Sequence, residues 1–404
     1  MSEPSGPAGG EAVERAVELL RELCAISSES GNVEGLRRVA ERLGAELARR
    51  GLAVEIEEEA GPDGRLQPLL LAGGERADER PLLLLGHLDT VLPAIEPHRT
   101  GGRLVATGAL DMKGGLAMLV GALDLLAARG ERAPEDLLLL AVPDEEVGGE
   151  IAQPVVRRWS ERARAVLVLE PGESRPGAET LVAGRRGLTE WRLEVTGRAA
   201  HSGLAYWSGR SALAAAADWC RRAQALSRRQ RGPTVNVGRL IAGTADFVDA
   251  LADHHALLGT SRQRNVVPDR ARAEGEVRYL ASGEGREMLA ALEALAREVA
   301  GEHEVEVRLT PGPGVPPVDP RGAGADLVER AVALAAARGF RLEIETDRGG
   351  ISFPNYLADP SRVAVVDGLG PVGEGMHTRE EWLDLESLER RIVLLADLLA
   401  SLRG

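Results

Sequence analysis

Residues 82–90 read Leu82-Leu83-Leu84-Leu85-Gly86-His87-Leu88-Asp89-Thr90. Four consecutive leucines make the short apolar run of a strand buried on both faces, and at its end the chain places Gly86, His87 and Asp89. His87 and Asp89 stand two apart, so on an extended strand their side chains point the same way. A metal-binding imidazole there can be steadied by a neighbouring carboxylate. Taken alone, the stretch fits a lone histidine in a loop after a core strand equally well.

Working outward, 404 residues suffice for two domains or for one with a large insertion, and 44% hydrophobic residues can supply real cores. Aromatics are only 3%, so those cores are built from Ala, Leu and Val. A formal charge of −14 with no basic stripe argues against nucleic acid and anionic membranes as partners, since both would repel the chain. Lys113 is the only lysine, every other basic side chain of the Lys/Arg class being arginine, which reads as genome composition. Cys24 and Cys220 are far apart and form no CxxC pair, as expected of a reducing compartment. The start, MSEPSGPAGG, lacks the features of a signal peptide, and no apolar run reaches membrane-spanning length. The expectation is a soluble cytoplasmic protein.

Before the leucine run, apolar spacing predicts two helices between Glu11 and Gly51, then strands at 53–57 and 66–72. After it come a helix at 115–128 and apolar strands at 136–142 and 165–169, an α/β order that implies a mostly parallel sheet with helical crossovers. Around Gly184 the pattern changes. Alternating strands at 188–195, 234–240, 272–279 and 305–309, with helices at 211–225 and 287–299, give a β-α-β-β-α-β order. This predicts a compact α+β insert over 184–310 between two parts, 11–183 and 311–404, of one larger domain. The Pro/Gly-rich stretch 311–320 marks its end, and helices at 325–338 and 385–402 with strands at 342–345 and 362–366 resume the α/β pattern.

The candidate ligands lie at strand ends or in the turns after them. His87 is joined by Asp111 in GALDMKGG, Glu145 and Glu146 in PDEEVGG, Glu170 in VLEP and His377 in GEGMHT. Carboxyl ends of parallel strands are where open α/β sheets build their sites, so these segments should converge. Histidines and carboxylates without a thiolate suit zinc, cobalt or manganese. Glu145 and Glu146 cannot both point at one ion from a regular strand, so one can ligate while the other faces the reacting water as a general base. Each piece has an ordinary reading: a solvated Glu-Glu turn, or an Asp111 that only caps a helix start. Five such segments in order, each at a strand end, outweigh those readings.

GHLDTV, GALDMKGG, PDEEVGG, VLEP and GEGMHT, in that order, resemble the co-catalytic dizinc metallopeptidase family of glutamate carboxypeptidase, acetylornithine deacetylase and succinyl-diaminopimelate desuccinylase. The resemblance spans about residues 11–400. It implies two divalent ions, most simply zinc, with Asp111 bridging them. His87 and Glu170 would complete one site, Glu146 and His377 the other; Glu145 would be the base, and Asp89 would orient His87. GRRGLTEWRLEVTGRAAHSG and NVVPDRARAEGEVR resemble the family's lid or dimerisation domain. That likeness implies a homodimer in which His201 holds the oxyanion from the partner subunit, with Asn265 and Arg278 at the scissile group and substrate carboxylate. A strand-face salt bridge is the plain alternative for Arg278.

Departures bear on specificity. Pro311-Gly312-Pro313 stands where glutamate carboxypeptidases often have a basic residue, and Phe353 takes the acidic position of the Gly-rich segment, which favours an apolar or unusual substrate side chain. The stretch 244–260, with His254 and His255, lengthens the insert and reads as a surface helix. Tyr206 and Trp207 could line a pocket or pack at a dimer contact. The implied activity is hydrolysis of an amide bond in a small peptide or N-acyl amino acid. Two rivals are a biosynthetic N-acyl amino acid deacylase and a non-catalytic binding protein on the same fold.

Overall fold

The computed structural model describes residues 7–61, 63–254 and 266–403, in two compact units, 1–185 with 318–404 and 186–317. In the first, α1 (Pro7–Cys24) and α2 (Val33–Arg49) precede β1 (Ala53–Ala60), β2 (Leu66–Gly73) and β3 (Leu82–His87). Asn32 caps α2 by accepting from the Gly35 amide at 3.1 Å, and Gly51, at φ +84°, lets the chain leave it. Then come α3 (Gly114–Ala128), β4 (Leu137–Val142), α4 (Ala152–Ser160) and β5 (Ala165–Val168), and after the insert α5 (Ala325–Ala337), β6 (Ala364–Val366) and α6 (Leu385–Ser401).

The main sheet runs β1-β2-β4-β3-β5-β6. β4, β3, β5 and β6 are parallel, and β1 and β2 join as antiparallel strands at one edge. Every residue of β3 and β4 is buried, which is why their sequences are unbroken apolar runs instead of alternating ones. From β3 the chain moves to β4 on one side, and from β4 it crosses to β5 on the other. The carboxyl ends of these strands therefore flank one switch point in the sheet. α3 is apolar nearly all round and packs against both α1 and α6. The expected strand at 342–345 forms, but it pairs with Ala178–Val182 in a separate small sheet.

The second unit is a four-stranded antiparallel sheet in the order 234–243, 270–279, 187–196, 306–315. Helices Ala212–Ala225 and Ser282–His303 cover one face, and their core holds Trp191 edge-on to Trp219 at 5.0 Å, with Leu193, Leu292 and Val299. The last strand continues through Pro311, Gly312 and Pro313 to Val315, past the expected end at 309. It is an edge strand, where a proline costs no ladder bond on its open side. The surface helix of the lengthened segment is Ala245–His254; His255 and Asn265 lie outside the described residues.

Candidate metal centre

β3 ends on His87, whose ring is wholly buried. Its Nδ1 lies 3.0 Å from the Asp89 carbonyl oxygen and 3.3 Å from Asp89 Oδ1. Both are acceptors, so Nδ1 carries the proton and the Nε2 lone pair is left free to meet a cation. Nε2 faces Asp111 Oδ1 at 3.2 Å and Glu170 Oε1, just past β5, at 3.7 Å. The other oxygen of Asp111 faces His377 Nε2 at 3.2 Å, and that nitrogen is also 3.2 Å from Glu146 Oε2. Two triads thus share one carboxylate: His87, Asp111 and Glu170, and Asp111, Glu146 and His377, with the donor atoms of each within 4.8 Å of one another.

Asp89 does more than meet His87. Its oxygens accept from the Glu145 and Glu146 amides, each at 3.2 Å, and from the Ser30 hydroxyl at 2.7 Å. One buried carboxylate therefore ties the end of β3 to the Glu145 turn. Asp144 holds the other side of that turn by accepting from the Ile151 and Ala152 amides. Ser352 donates to Glu170 Oε1 at 3.4 Å. Phe353 is fully buried, its ring 6.3 Å from that of His87 and 6.2 Å from Tyr356, so it backs the His87 ring from inside the core.

The electrostatics match a cation site. Burial, with the Asp111 charge added, pushes Glu170 well above the usual carboxylate range. Burial likewise brings Glu146 to about 8 and Glu145 to about 7, each with His87 pulling down and Asp111 pushing up. Burial would raise Asp111 too, but hydrogen bonds from His377 and His87 hold it low. His377 rises to about 9, chiefly through its bond to Asp111. Carboxylates crowded this way are short of positive charge, and an all-nitrogen and oxygen donor set fits borderline or hard divalent ions.

Sequence reasoning passed over two neighbours. Arg185 is buried, donates from Nε to Asp367 Oδ2 at 3.0 Å and from Nη1 to the Gly350 carbonyl at 2.8 Å, and its charge is felt at Glu145 and Glu170. Lys113, the chain's only lysine, is buried two residues past Asp111. Its ammonium donates to the Leu23 and Ile26 carbonyls at 3.0 and 2.9 Å, gripping the C-terminal end of α1. Neither is recognisable without its partners, which are distant in sequence.

In the second unit, the Gly203 and Leu204 amides donate to His201 Nδ1 at 3.1 and 3.2 Å, which puts that ring's proton on Nε2. Arg278 donates from Nε to Glu276 Oε1 at 2.7 Å, a pair on one strand face. Tyr206 and Trp207 meet edge-on at 5.1 Å and are exposed, Trp207 to 88%. A third group, Asp218, Glu302 and His303, also brings donor atoms together, but Arg222 pairs with both of its carboxylates. No helix among the described residues is long and apolar enough to cross a membrane.

Known proteins give this geometry a setting. The chain is 27% identical over 395 residues to carboxypeptidase G2 of Pseudomonas sp. (strain RS-16), covering 96% of this chain and 89% of that protein. It is 28% identical over 284 residues to a succinyl-diaminopimelate desuccinylase of Rhodospirillum centenum, covering 69% of this chain and 68% of the relative. Among solved structures, aminopeptidase PepT from Bacillus cereus superposes with a TM-score of 0.77 at 22% identity, over 96% of this chain and 98% of that one. Peptidase family M20/M25/M40 matches residues 83–401, a span that begins inside β3 and takes in all five candidate ligands. The chain belongs to that peptidase family.

Proposed function

We propose that this hydrolase cleaves an amide bond in a small peptide or N-acyl amino acid, carboxypeptidase fashion, with His87, Asp111 and Glu170 holding one divalent ion and Asp111, Glu146 and His377 a second. The observation that carries the reading is the shared carboxylate: Asp111 turns one oxygen to His87 and the other to His377, each at 3.2 Å. Zinc is the simplest ion for that donor set, with cobalt or manganese as substitutes. Bound ions would polarise the scissile carbonyl and bring the reacting water's pKa toward neutrality.

The chain's own groups supply the rest. Glu145 takes the water's proton on its carboxylate and returns it to the leaving nitrogen, a task suited by its place beside Glu146 in the turn that Asp89 holds. Asp89 keeps the proton on His87 Nδ1 and holds the Glu145 turn. His201, with its proton on Nε2, is the donor proposed for the oxyanion, acting from the second subunit of a homodimer formed through the insert. Asn265 and Arg278 are proposed for the scissile group and the substrate carboxylate. The deacylase reading stays in play through the desuccinylase relative. Two free, buried cysteines support a cytoplasmic setting.

Glu145→Gln tests the core of this. Metal content should stay unchanged while turnover of the best member of a panel of Xaa-Glu, Xaa-Leu and N-acetyl amino acids, each with zinc, cobalt and manganese, falls about 10²–10⁴-fold. A variant near the wild-type rate refutes the base. A panel that no ion activates refutes the amide-hydrolysis reading.

A further inference from the structure

Resting on the metal-site reading above, we propose that Glu381 is a positioning residue for Asp111, the shared ligand. Glu381 is only 3% exposed, and its carboxylate is spent entirely on backbone amides of the Asp111 turn. Oε1 accepts from Leu110 at 2.8 Å and Asp111 at 3.0 Å, and Oε2 accepts from Gly108 at 2.9 Å.

The turn needs such a partner. Gly108 is left-handed at φ +74°, and Asp111 and Met112 have non-helical angles of −116°/97° and −129°/30°, so neighbouring carbonyls cannot satisfy these amides as a regular helix would. A carboxylate accepting several amides in a buried place fixes their directions as a set. The amide of Asp111 itself is one of the three, so Glu381 sets the orientation of the ligand's own residue.

Glu381 is in turn held in place. Its carbonyl accepts from the Ala106 amide at 3.1 Å, and the next residues pair with 103–105 as a strand. It also stands four residues after His377. One short segment therefore delivers a ligand to one oxygen of Asp111 and fixes the backbone from which that oxygen projects. Its effect passes through Asp111, and the expected cost of losing such a partner is about 10- to 100-fold in metal affinity.

The test compares Glu381→Gln and Glu381→Ala with wild type, all stripped of metal and titrated with zinc against a chromophoric chelator. Gln keeps one carbonyl oxygen for the Leu110 and Asp111 amides but turns an NH2 toward Gly108. The expected losses are about tenfold for Gln and toward 100-fold for Ala. The visible spectrum of the cobalt-loaded chain should shift in both variants, which a purely structural role elsewhere would leave unchanged. Unaltered zinc affinity and cobalt spectrum in a folded Glu381→Gln overturn the proposal, and this variant also covers the case in which Ala fails to fold. If wild type binds no zinc, the metal reading fails, and amide hydrogen exchange decides this one. Faster exchange in Glu381→Gln confined to 108–113 upholds it; unchanged exchange overturns it.

Discussion

Gly115→Ala tests whether close backbone approach sets the spacing of the ligands. Gly115 lies in the first turn of α3, and a Cβ there would stand 2.1 Å from the Leu169 carbonyl oxygen and 3.1 Å from Leu169 Cβ. Real Cβ atoms essentially never approach a neighbour below 3.0 Å, so α3 and the end of β5 would have to separate by roughly 1 Å in a close-packed interior. Leu169 precedes Glu170, and α3 follows directly from the Asp111 turn, so the separation falls between two proposed ligands of one triad. The cost in stability should be about 1–3 kcal/mol, as for other overpacked cores. Zinc affinity should fall about 10- to 100-fold. A misplacement of about 1 Å should cost kcat/KM about 10²-fold. The assays are thermal unfolding with and without chelator, zinc competition, and hydrolysis of the best panel substrate. Gly301→Ala is the control: nothing lies within 4 Å of its Cβ position in helix Ser282–His303, and it should gain about 0.5–1 kcal/mol. If Gly115→Ala keeps wild-type zinc affinity and rate and loses less than about 0.5 kcal/mol, the contact does not set the spacing.

Glu179→Gln should destabilise the protein by about 3–5 kcal/mol in urea at neutral pH, because it leaves the wholly buried Arg391 guanidinium without the carboxylate it meets at 2.7 Å; a loss below about 1 kcal/mol would contradict this. Burial raises Glu46, but hydrogen bonds from Arg50 and Arg42 outweigh it and bring the carboxyl to about 2. With the folded value below the unfolded one of about 4.3, the stabilisation is full above that pH and drains away as pH falls through about 2. Glu46→Gln should flatten the stability–pH curve in that window alone, and a curve parallel to wild type counts against it. Chelator-stripped protein should have a lower Tm than protein supplied with a divalent ion, since an ion at about 100 times its Kd contributes about 2.7 kcal/mol, and re-addition should restore it; identical Tm values with and without chelator would refute the site.

The parts of the fold legible in the sequence are those with a strong period. β3 and β4 are buried on both faces and show it as unbroken leucines, while α1 and α2 bury one stripe each. α4 escaped because it is nine residues long with Pro154 near its start, and strands such as Trp382–Asp384 are too short to carry a period. Pro311 and Pro313 read as a linker, yet the strand Glu306–Val315 runs through them and the unit ends at Pro317, because an edge strand tolerates proline on its open side. The convergence of the candidate residues was legible for a topological reason: parallel strands deliver their carboxyl ends to one place, so His87, Glu146 and Glu170 could be expected together. What stayed hidden were the bonds behind them, such as Arg185 to Asp367 and Glu381 to Gly108, which no local spacing encodes. Phe353 suggested a substrate pocket by its position in a motif, yet its side chain is turned wholly into the core beside His87.

The burial of Lys113 has a practical side. Because it is the chain's only lysine and is 1% exposed, reagents that acylate or cross-link side-chain amines find no accessible target on the folded protein. Biotinylation or coupling to an activated resin would spare this side chain until the end of α1 lets go. The rate at which Lys113 becomes labelled is then a clock for the opening of the wall behind Asp111, readable by mass spectrometry at a single residue.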